Sequence, residues 1–143
     1  MKITKPKDSR KKLENKLWKL TSEYVRRRYA NSDGYVKCFT CSAIKKWKEM
    51  DAGHFIDKSV CGEKLIYDLV NVQVQCTACN RYKSGNKDIY SLNLLQKYGN
   101  GIIELLFAQK AIVRKLTETE LENLIIERKK QLDELTQCMG KQV

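Results

Sequence analysis

The sequence is poor in histidine, proline and acidic residues. It holds one His and one Pro among 143 residues, and 17 acidic side chains against 28 basic ones. No apolar run approaches roughly 18 residues, so a membrane-spanning helix is excluded. The N-terminus, MKITKPKDSRKK, has no apolar stretch behind it, and we therefore expect no secretory signal. With a single histidine, any catalysis that depends on an imidazole must use His54.

These absences favour a protein of the cell interior, with no membrane partner and a cytoplasmic location. In such a compartment, cysteines are more often metal ligands or free thiols than disulfides. The hydrophobic content of 42% is ordinary and argues against global disorder. The length favours one domain with a real core and appended helices.

Positive charge is concentrated in the first part of the chain. The formal net charge is +11, of which residues 1–30 carry +8, residues 31–87 carry +3, and residues 88–143 carry none. Lys and Arg side chains that neutralise phosphates release condensed counterions, so a nucleic acid is the natural partner. The alternative is a basic surface that serves only solubility.

Hydrophobic periodicity divides the chain into three regions. Residues 1–34 are predicted to be a basic arm and a helix over about 9–30, whose apolar stripe includes Leu13, Leu17 and Leu20. Residues 35–98 form the cysteine-rich core. Residues 99–143 form a helical region that serves as scaffold or dimer surface.

The core is predicted to mix short strands and helices. Alternation over 72–76 and the segment 54–56 indicate strands, with a polar loop over 57–68 between them. Helices are predicted from Asn80, over 88–98 and over 102–114. Thr117 and Glu120 form a capping box that begins a last helix extending to about Gln137.

Two Cys-x-x-Cys pairs, Cys38/Cys41 and Cys76/Cys79, predict a metal site. Four thiolates give a closed tetrahedral zinc site, which stabilises a fold and does not activate water. The 34 residues between the pairs leave room for a hairpin. The alternatives are thioredoxin-like redox chemistry or chance. We assign no role to Cys61 or Cys138.

Polar residues in and beside the predicted strands form a candidate catalytic set. His54 and Asn71 lie at the two strands, and Asn80 directly follows the last zinc cysteine. Because the zinc site holds both the hairpin and the helix start, it can bring His54 and Asn80 together. Alone, His54 would more often be a packed or surface residue.

The ordered motifs "GHF", "NVQVQC" and "CNRYKSGN" resemble those of the HNH, or ββα-metal, nucleases in their treble-clef form. More narrowly, "DAGHFI", "LVNVQVQCTACNRYKSGN" and "YSLNLLQKYG" resemble the NinG/Rap recombination proteins of lambda-like phages. The resemblance covers about residues 35–110 and is weaker in the flanking helices. It implies an α+β fold, a zinc-stapled treble-clef ββα-metal core flanked by a basic N-terminal helix and C-terminal helices.

The resemblance also implies an activity. It implies a metal-dependent DNA endonuclease that acts on branched recombination intermediates such as Holliday junctions and D-loops. His54 would be the general base, Asn80 would hold a catalytic Mg²⁺ or Mn²⁺, and Asn71 would support the loop that orients the histidine. The four paired cysteines would hold structural zinc. A homodimer and a phage recombinase are candidate partners.

One position departs from the family pattern. Many HNH nucleases have Asp directly before the histidine as a metal ligand, whereas this chain has Gly53. "DAGH" is similar to the "DRGH" of the nonspecific ββα nucleases, in which Asn is the main ligand. We therefore expect Asn80 to be the principal ligand. Asp51 either assists through indirect contacts or is an exposed turn residue.

Basic side chains around this set are candidate phosphate contacts. The predicted DNA-binding residues are Arg26, Arg27, Arg28, Lys58, Arg81, Lys83 and Lys87. The alternative is a solvated charged surface. Two other functions also fit the charge and the cysteines: a zinc-stabilised DNA-binding module without catalysis, and a less selective HNH nuclease.

Overall fold

The computed structural model describes residues 7–140, and the fold is α+β. The helices are α1 (Lys7–Arg27), α2 (Glu63–Ile66), α3 (Lys87–Tyr98), α4 (Ile102–Lys110) and α5 (Glu118–Gly140). The strands are β1 (Tyr35–Lys37), β2 (Ile44–Lys46), β3 (Asp51–His54) and β4 (Val72–Gln75). A 3₁₀ turn covers Trp47–Glu49 and a π-helical turn covers Ala78–Tyr82.

Helix α1 is the element on which the other layers pack. Leu17, Thr21 and Val25 recur every four residues and are fully buried, as an amphipathic helix requires. The helix ends at Arg27, earlier than the predicted residue 30. The Asn31 side chain explains the early end, because its Oδ1 accepts the N–H groups of Asp33 and Tyr35 and closes a turn. Of the basic arm predicted over residues 1–7, residues 1–6 lie outside the described residues, and Lys7 begins α1.

Two antiparallel hairpins form the sheets. Strand β1 pairs with β2, and β3 pairs with β4 so that His54 lies opposite Val72. The predicted strand over 54–56 is wrong, because β3 ends at His54. The reason is the Asn71 side chain, whose Oδ1 accepts the Ile56 N–H at 2.8 Å in place of a backbone carbonyl.

The helices after β4 follow the predicted order with shifted ends. The helix predicted from Asn80 is a π-helical turn over Ala78–Tyr82, and α4 ends at Lys110 instead of 114. Before β4, the short helix α2 lies inside the predicted 57–68 loop. The residues beyond α4 include Ile112 and Val113, whose side chains are exposed. Half of the capping box forms, because Thr117 Oγ1 accepts the Glu120 N–H at 3.1 Å.

Three buried clusters hold these elements together. One joins α1 to the two hairpins, one joins α1 to α5, and one lies under α3 and α4. Helix α1 therefore packs on the β3–β4 hairpin with one face and on α5 with another. Among residues 7–140, no helix is long and apolar enough to cross a bilayer.

Candidate functional site

The four paired cysteines come together, as the sequence predicts. The Sγ atoms of Cys38, Cys41, Cys76 and Cys79 all lie within 4.8 Å of one another. Cys41 Sγ and Cys76 Sγ are 3.6 Å apart. One pair follows β1 and the other follows β4, so the cluster ties the first hairpin to the second.

Backbone N–H groups point at these sulfur atoms. Cys38 Sγ accepts the N–H groups of Cys76 at 3.2 Å and Thr40 at 3.4 Å. Burial opposes the thiolate, but these donors outweigh it and lower the pKa of Cys38 to about 7. Burial raises the pKa of Cys41 to about 12 and also raises that of Cys76. The compact group of four cysteine sulfurs still fits a metal ion such as zinc, which binds them as thiolates. These four residues would hold it with no open coordination position.

His54 and Asn80 both line one cavity of about 460 Å³. His54 ends β3, and Asn80 lies in the π-helical turn that follows Cys79. Because the cysteine cluster holds β4 and this turn, it brings the two side chains to the same cavity. Trp18, Asp57 and Lys58 also line it.

The His54 ring is held by one hydrogen bond and one stacked ring. Its Nε2 lies 2.9 Å from the Ile66 carbonyl oxygen, which can only accept, so Nε2 carries the proton. Nδ1 is then the atom with a free lone pair. The Trp18 indole stacks on the imidazole, with ring centroids 5.0 Å apart and planes 21° apart.

The environment of His54 keeps the ring neutral. Burial is the largest cause that lowers its pKa, and the positive charges of Lys58 and Lys87 act in the same direction. The Ile66 hydrogen bond and Asp57 oppose them without reversing the shift. At pH 7, His54 is therefore an unprotonated base.

Asn71 is fully buried and holds the loop that supports His54. Its Nδ2 donates to the Ile56 carbonyl at 3.1 Å and the Leu65 carbonyl at 3.0 Å, while Oδ1 accepts the Ile56 N–H. Leu65 directly precedes Ile66, whose carbonyl accepts from the histidine. Asn71 thus connects β4 to the segment that orients the imidazole.

Asp51 orients the Asn80 amide. Asn80 Nδ2 donates to Asp51 Oδ2 at 3.0 Å, and Arg81 Nε donates to the same oxygen at 3.1 Å. With its nitrogen turned to Asp51, the amide directs Oδ1 toward Gly53. This oxygen could hold a hard divalent cation. Asp51 is therefore not an exposed turn residue: it lies in β3 and holds the Asn80 amide.

The Gln75 side chain explains why position 53 is glycine. A methyl group built on Gly53 would lie 1.8 Å from Gln75 Oε1 and 2.9 Å from Asn80 Oδ1. The Gln75 amide cannot easily turn away, because its Nε2 donates to Thr40 Oγ1 at 2.9 Å and to the Gly85 carbonyl at 2.8 Å. An Asp before the histidine would collide with this side chain.

Two of the predicted DNA-binding residues are engaged inside the protein. Arg28 Nη2 donates to the carbonyls of Leu69 and Val72 and to Gln73 Oε1. Lys87 Nζ donates to the carbonyls of His54 and Phe55 and pairs with Asp57 at 3.0 Å. Both side chains donate hydrogen bonds to backbone carbonyls of the protein itself. This arrangement differs from the prediction that they contact phosphates.

The other predicted DNA-binding residues remain at the surface. Lys58 and Lys83 are exposed, and Lys58 lines the His54 cavity. Arg81 is exposed beside Asp51. Arg26 and Arg27 lie away from the cavity and are half-buried, each with its guanidinium carbon 5.3 Å from the centre of the Trp47 ring. Arg26 also donates to the carbonyls of Ser22 at 3.1 Å and Trp47 at 3.4 Å.

Sequence reasoning missed three residues of this site. Trp18 stacks on His54, Gln75 occupies the space at Gly53, and Asp57 lies on the cavity wall. The only sequence signal for Gln75 was its place in the alternating segment before Cys76. Trp18 adjoins the apolar stripe of α1, but no sequence signal pointed it at the histidine.

Comparison with known proteins identifies the chain at the level of family. A family model described as the bacteriophage lambda NinG protein matches residues 2–138. The chain belongs to the NinG family. Curated NinG proteins of Escherichia phage 933W and Salmonella phage P22 are each 29% identical to it over 72 residues, and that of phage lambda is 28% identical.

These matches cover 50% of the present chain and about a third of each NinG relative, 35% for the 933W protein and 34% for the lambda protein. No solved structure matches the chain. The NinG relatives are phage proteins, and their names state no activity.

Proposed function

We propose that this NinG-family chain is a metal-dependent DNA endonuclease with a treble-clef ββα-metal (HNH) core. The observation that supports the proposal is that His54, a neutral imidazole, and Asn80 line one cavity, next to a four-cysteine cluster that holds the elements carrying them. The β3–β4 hairpin carries His54, and the turn after it carries Asn80. This order of hairpin and turn is the one that the HNH resemblance implies.

In the proposed reaction, His54 Nδ1 takes a proton from water. The water oxygen forms a bond to phosphorus while the bond from phosphorus to the leaving oxygen breaks, and a proton then reaches that oxygen. The Nε2–H bond to Ile66 keeps Nδ1 free for this step. Asn80 Oδ1 would hold a Mg²⁺ or Mn²⁺ ion, which supplies positive charge to the phosphate.

Positive side chains around the cavity support a phosphate substrate. Lys58 lines the cavity, and Lys83 and Arg81 are exposed near Asn80. The preference for Holliday junctions and D-loops follows from the resemblance and not from the geometry. Dimerisation through the C-terminal helices, a recombinase partner and action inside a phage-infected cell belong to the same proposal.

The deciding experiment is a cleavage assay with zinc-loaded protein on a four-way junction, a D-loop, a fork and linear duplex. We expect cutting of the branched substrates that requires added Mg²⁺. His54→Ala should abolish cutting and retain DNA binding, and Asn80→Ala should lower cutting and raise the Mg²⁺ requirement. The control is Asn123→Ala, which removes an exposed amide on α5.

Each alternative function has its own outcome in this assay. Full activity of His54→Ala would refute the assigned base. Equal cutting of linear and branched DNA would indicate a less selective HNH nuclease. Tight DNA binding with no cutting under any metal condition would indicate a zinc-stabilised DNA-binding module, which the basic surface and the cysteine cluster also suit.

A further inference from the structure

A second basic surface lies around Trp47, at the C-terminal end of α1. We call it the tryptophan patch, and it consists of Arg26, Arg27, Tyr35, Lys46, Trp47 and Lys48. Three of its cations surround one indole: the guanidinium carbons of Arg26 and Arg27 lie 5.3 Å from the ring centre, and Lys48 Nζ lies 5.6 Å from it.

The strand register adds a second cation–aromatic pair to the patch. Tyr35 and Lys46 are direct cross-strand partners in the β1–β2 hairpin. Lys46 Nζ lies 5.1 Å from the centre of the Tyr35 ring. Both side chains are exposed, as is Lys48. The outer face of the hairpin therefore presents lysines and an aromatic ring to solvent.

The carboxylates near the patch act on its arginines, since Glu23 and Asp51 both interact electrostatically with Arg26. Among the ion pairs of residues 7–140, one involves these cations, between Arg27 and Glu23 at 3.8 Å, and it is long and partly exposed. Like charges this close repel one another unless an anion lies over them. Lys46 and Lys48 are exposed and form no ion pair among residues 7–140, so they are the cations of the patch most open to a negatively charged partner.

The patch adjoins a concave surface that can receive such a partner. A cavity of about 510 Å³ is lined by Arg27, Trp47, Asn31 and Gly34, among others. Cations beside an accessible aromatic ring are the combination that nucleic-acid-binding grooves use, because phosphates pair with the cations and bases or sugars stack on the ring.

The position of the patch relates it to the His54 cavity. Trp18 stacks on His54, and Arg26 follows eight residues later on the same helix, about 12 Å along its axis at 1.5 Å per residue. In duplex DNA this distance is about three to four base-pair steps of 3.4 Å. A nucleic acid in the cavity could extend over the patch.

We propose that the tryptophan patch is a nucleic-acid backbone site, which holds the same substrate a few nucleotides from the scissile phosphate. The inference rests on the proposed function for the location of the cut. Its energetic contribution is electrostatic, since the exposed lysines would neutralise phosphates and release counterions. The aromatic rings would contribute stacking that does not depend on base sequence.

The test compares two double variants with equal loss of charge. Lys46→Gln/Lys48→Gln neutralises the patch. Lys115→Gln/Lys129→Gln is the control, because both lysines are exposed and Lys129 lies away from the patch. Lys129 interacts with Lys16, which precedes Arg26 on α1 by ten residues, or about 15 Å along the helix axis. Binding to a junction and to linear duplex is measured without added Mg²⁺ over a series of salt concentrations, together with zinc content and thermal stability.

The expected result is a loss of affinity of roughly fivefold to tenfold per lost phosphate contact at 0.1 M salt. The slope of log K against log salt should become shallower by about 0.9 per contact, about 1.8 for the patch variant, while the control keeps the wild-type slope. In a Trp18→Phe chain, whose one remaining indole is Trp47, DNA should quench the fluorescence.

A patch variant that is folded, zinc-loaded and binds with the wild-type slope would overturn the inference, and the patch would then belong to another acidic partner. A wild-type protein that binds through the patch but never cuts DNA would refute the proposed nuclease and leave the patch standing. Failure of one proposal is therefore distinguishable from failure of the other.

Discussion

Adding one methyl group at Gly53 tests how the candidate site is packed. In Gly53→Ala, the new Cβ would lie 1.8 Å from Gln75 Oε1, far inside van der Waals contact. Gly53 is not among the residues with positive φ, so the backbone itself accepts alanine. The cost comes from the Gln75 side chain, whose amide is fixed by Thr40 and Gly85.

The expected cost follows from the two ways in which the clash can relax. If the backbone shifts, overpacking a tight core costs about 1–3 kcal/mol. If the Gln75 amide rotates, its buried Nε2 loses both acceptors, which also costs about 1–3 kcal/mol. We therefore expect Gly53→Ala to lower the free energy of unfolding by about 2 kcal/mol and Tm by about 4–8 °C.

The assay is urea denaturation of the zinc-loaded protein as a double-mutant cycle. Gln75→Ala alone should be destabilising, but Gly53→Ala/Gln75→Ala should be hardly less stable than Gln75→Ala, because the methyl group enters the vacated space. Gly101→Ala is the control, since a Cβ there meets nothing within 4 Å, and it should cost less than about 1 kcal/mol. A Gly53→Ala protein as stable as wild type, or strictly additive effects in the cycle, would refute this account.

Three further predictions address the metal cluster, the base and its loop. Cys76→Ser should lose bound zinc and the cooperative unfolding of the core. Cys138→Ser, which changes an exposed thiol, should alter neither property. Zinc stoichiometry and thermal melting measure both effects. NMR titration of His54, the single histidine, should give a pKa below the ordinary 6.5, and Trp18→Ala should raise it because water then reaches the ring. Because the pKa of His54 is lower in the folded state, the folded state binds fewer protons than the unfolded chain. The stability that His54 contributes above about pH 6.5 should therefore be lost as the pH falls through the folded-state pKa. An unshifted pKa would contradict the stacked, neutral ring. Asn71→Ala should cost about 2–4 kcal/mol in urea denaturation, because it breaks buried hydrogen bonds to two loop segments, and a loss under 1 kcal/mol would show that the loop holds without it.

Local sequence signals were informative where neighbouring residues determine the structure. The spacing of Cys76 and Cys79, their match to Cys38 and Cys41, and the apolar stripe of α1 all predicted the structure correctly. The ends of elements were predicted less well. Strand β3 ends at His54 because of an Asn71 side-chain contact that no local pattern contains.

Charge alone was a poor guide to which cations are free. Arg28 and Lys87 lie in basic segments and were expected to contact phosphates, yet each donates to backbone carbonyls of distant residues. Their partners are 30 to 45 residues away in the chain. The fold, and not the composition, decides whether a cation faces inward or outward.

The sequence by itself determined the four-thiol cluster, the neutral-base candidate and the excess of positive charge, because each depends on residue type and short spacing. Only the tertiary structure decided the stacking of Trp18 on His54, the collision that keeps position 53 glycine, and the arrangement of cations around Trp47. Those features depend on side chains from separate elements that meet within a few ångströms. The single histidine is thus positioned by partners that its own segment does not contain.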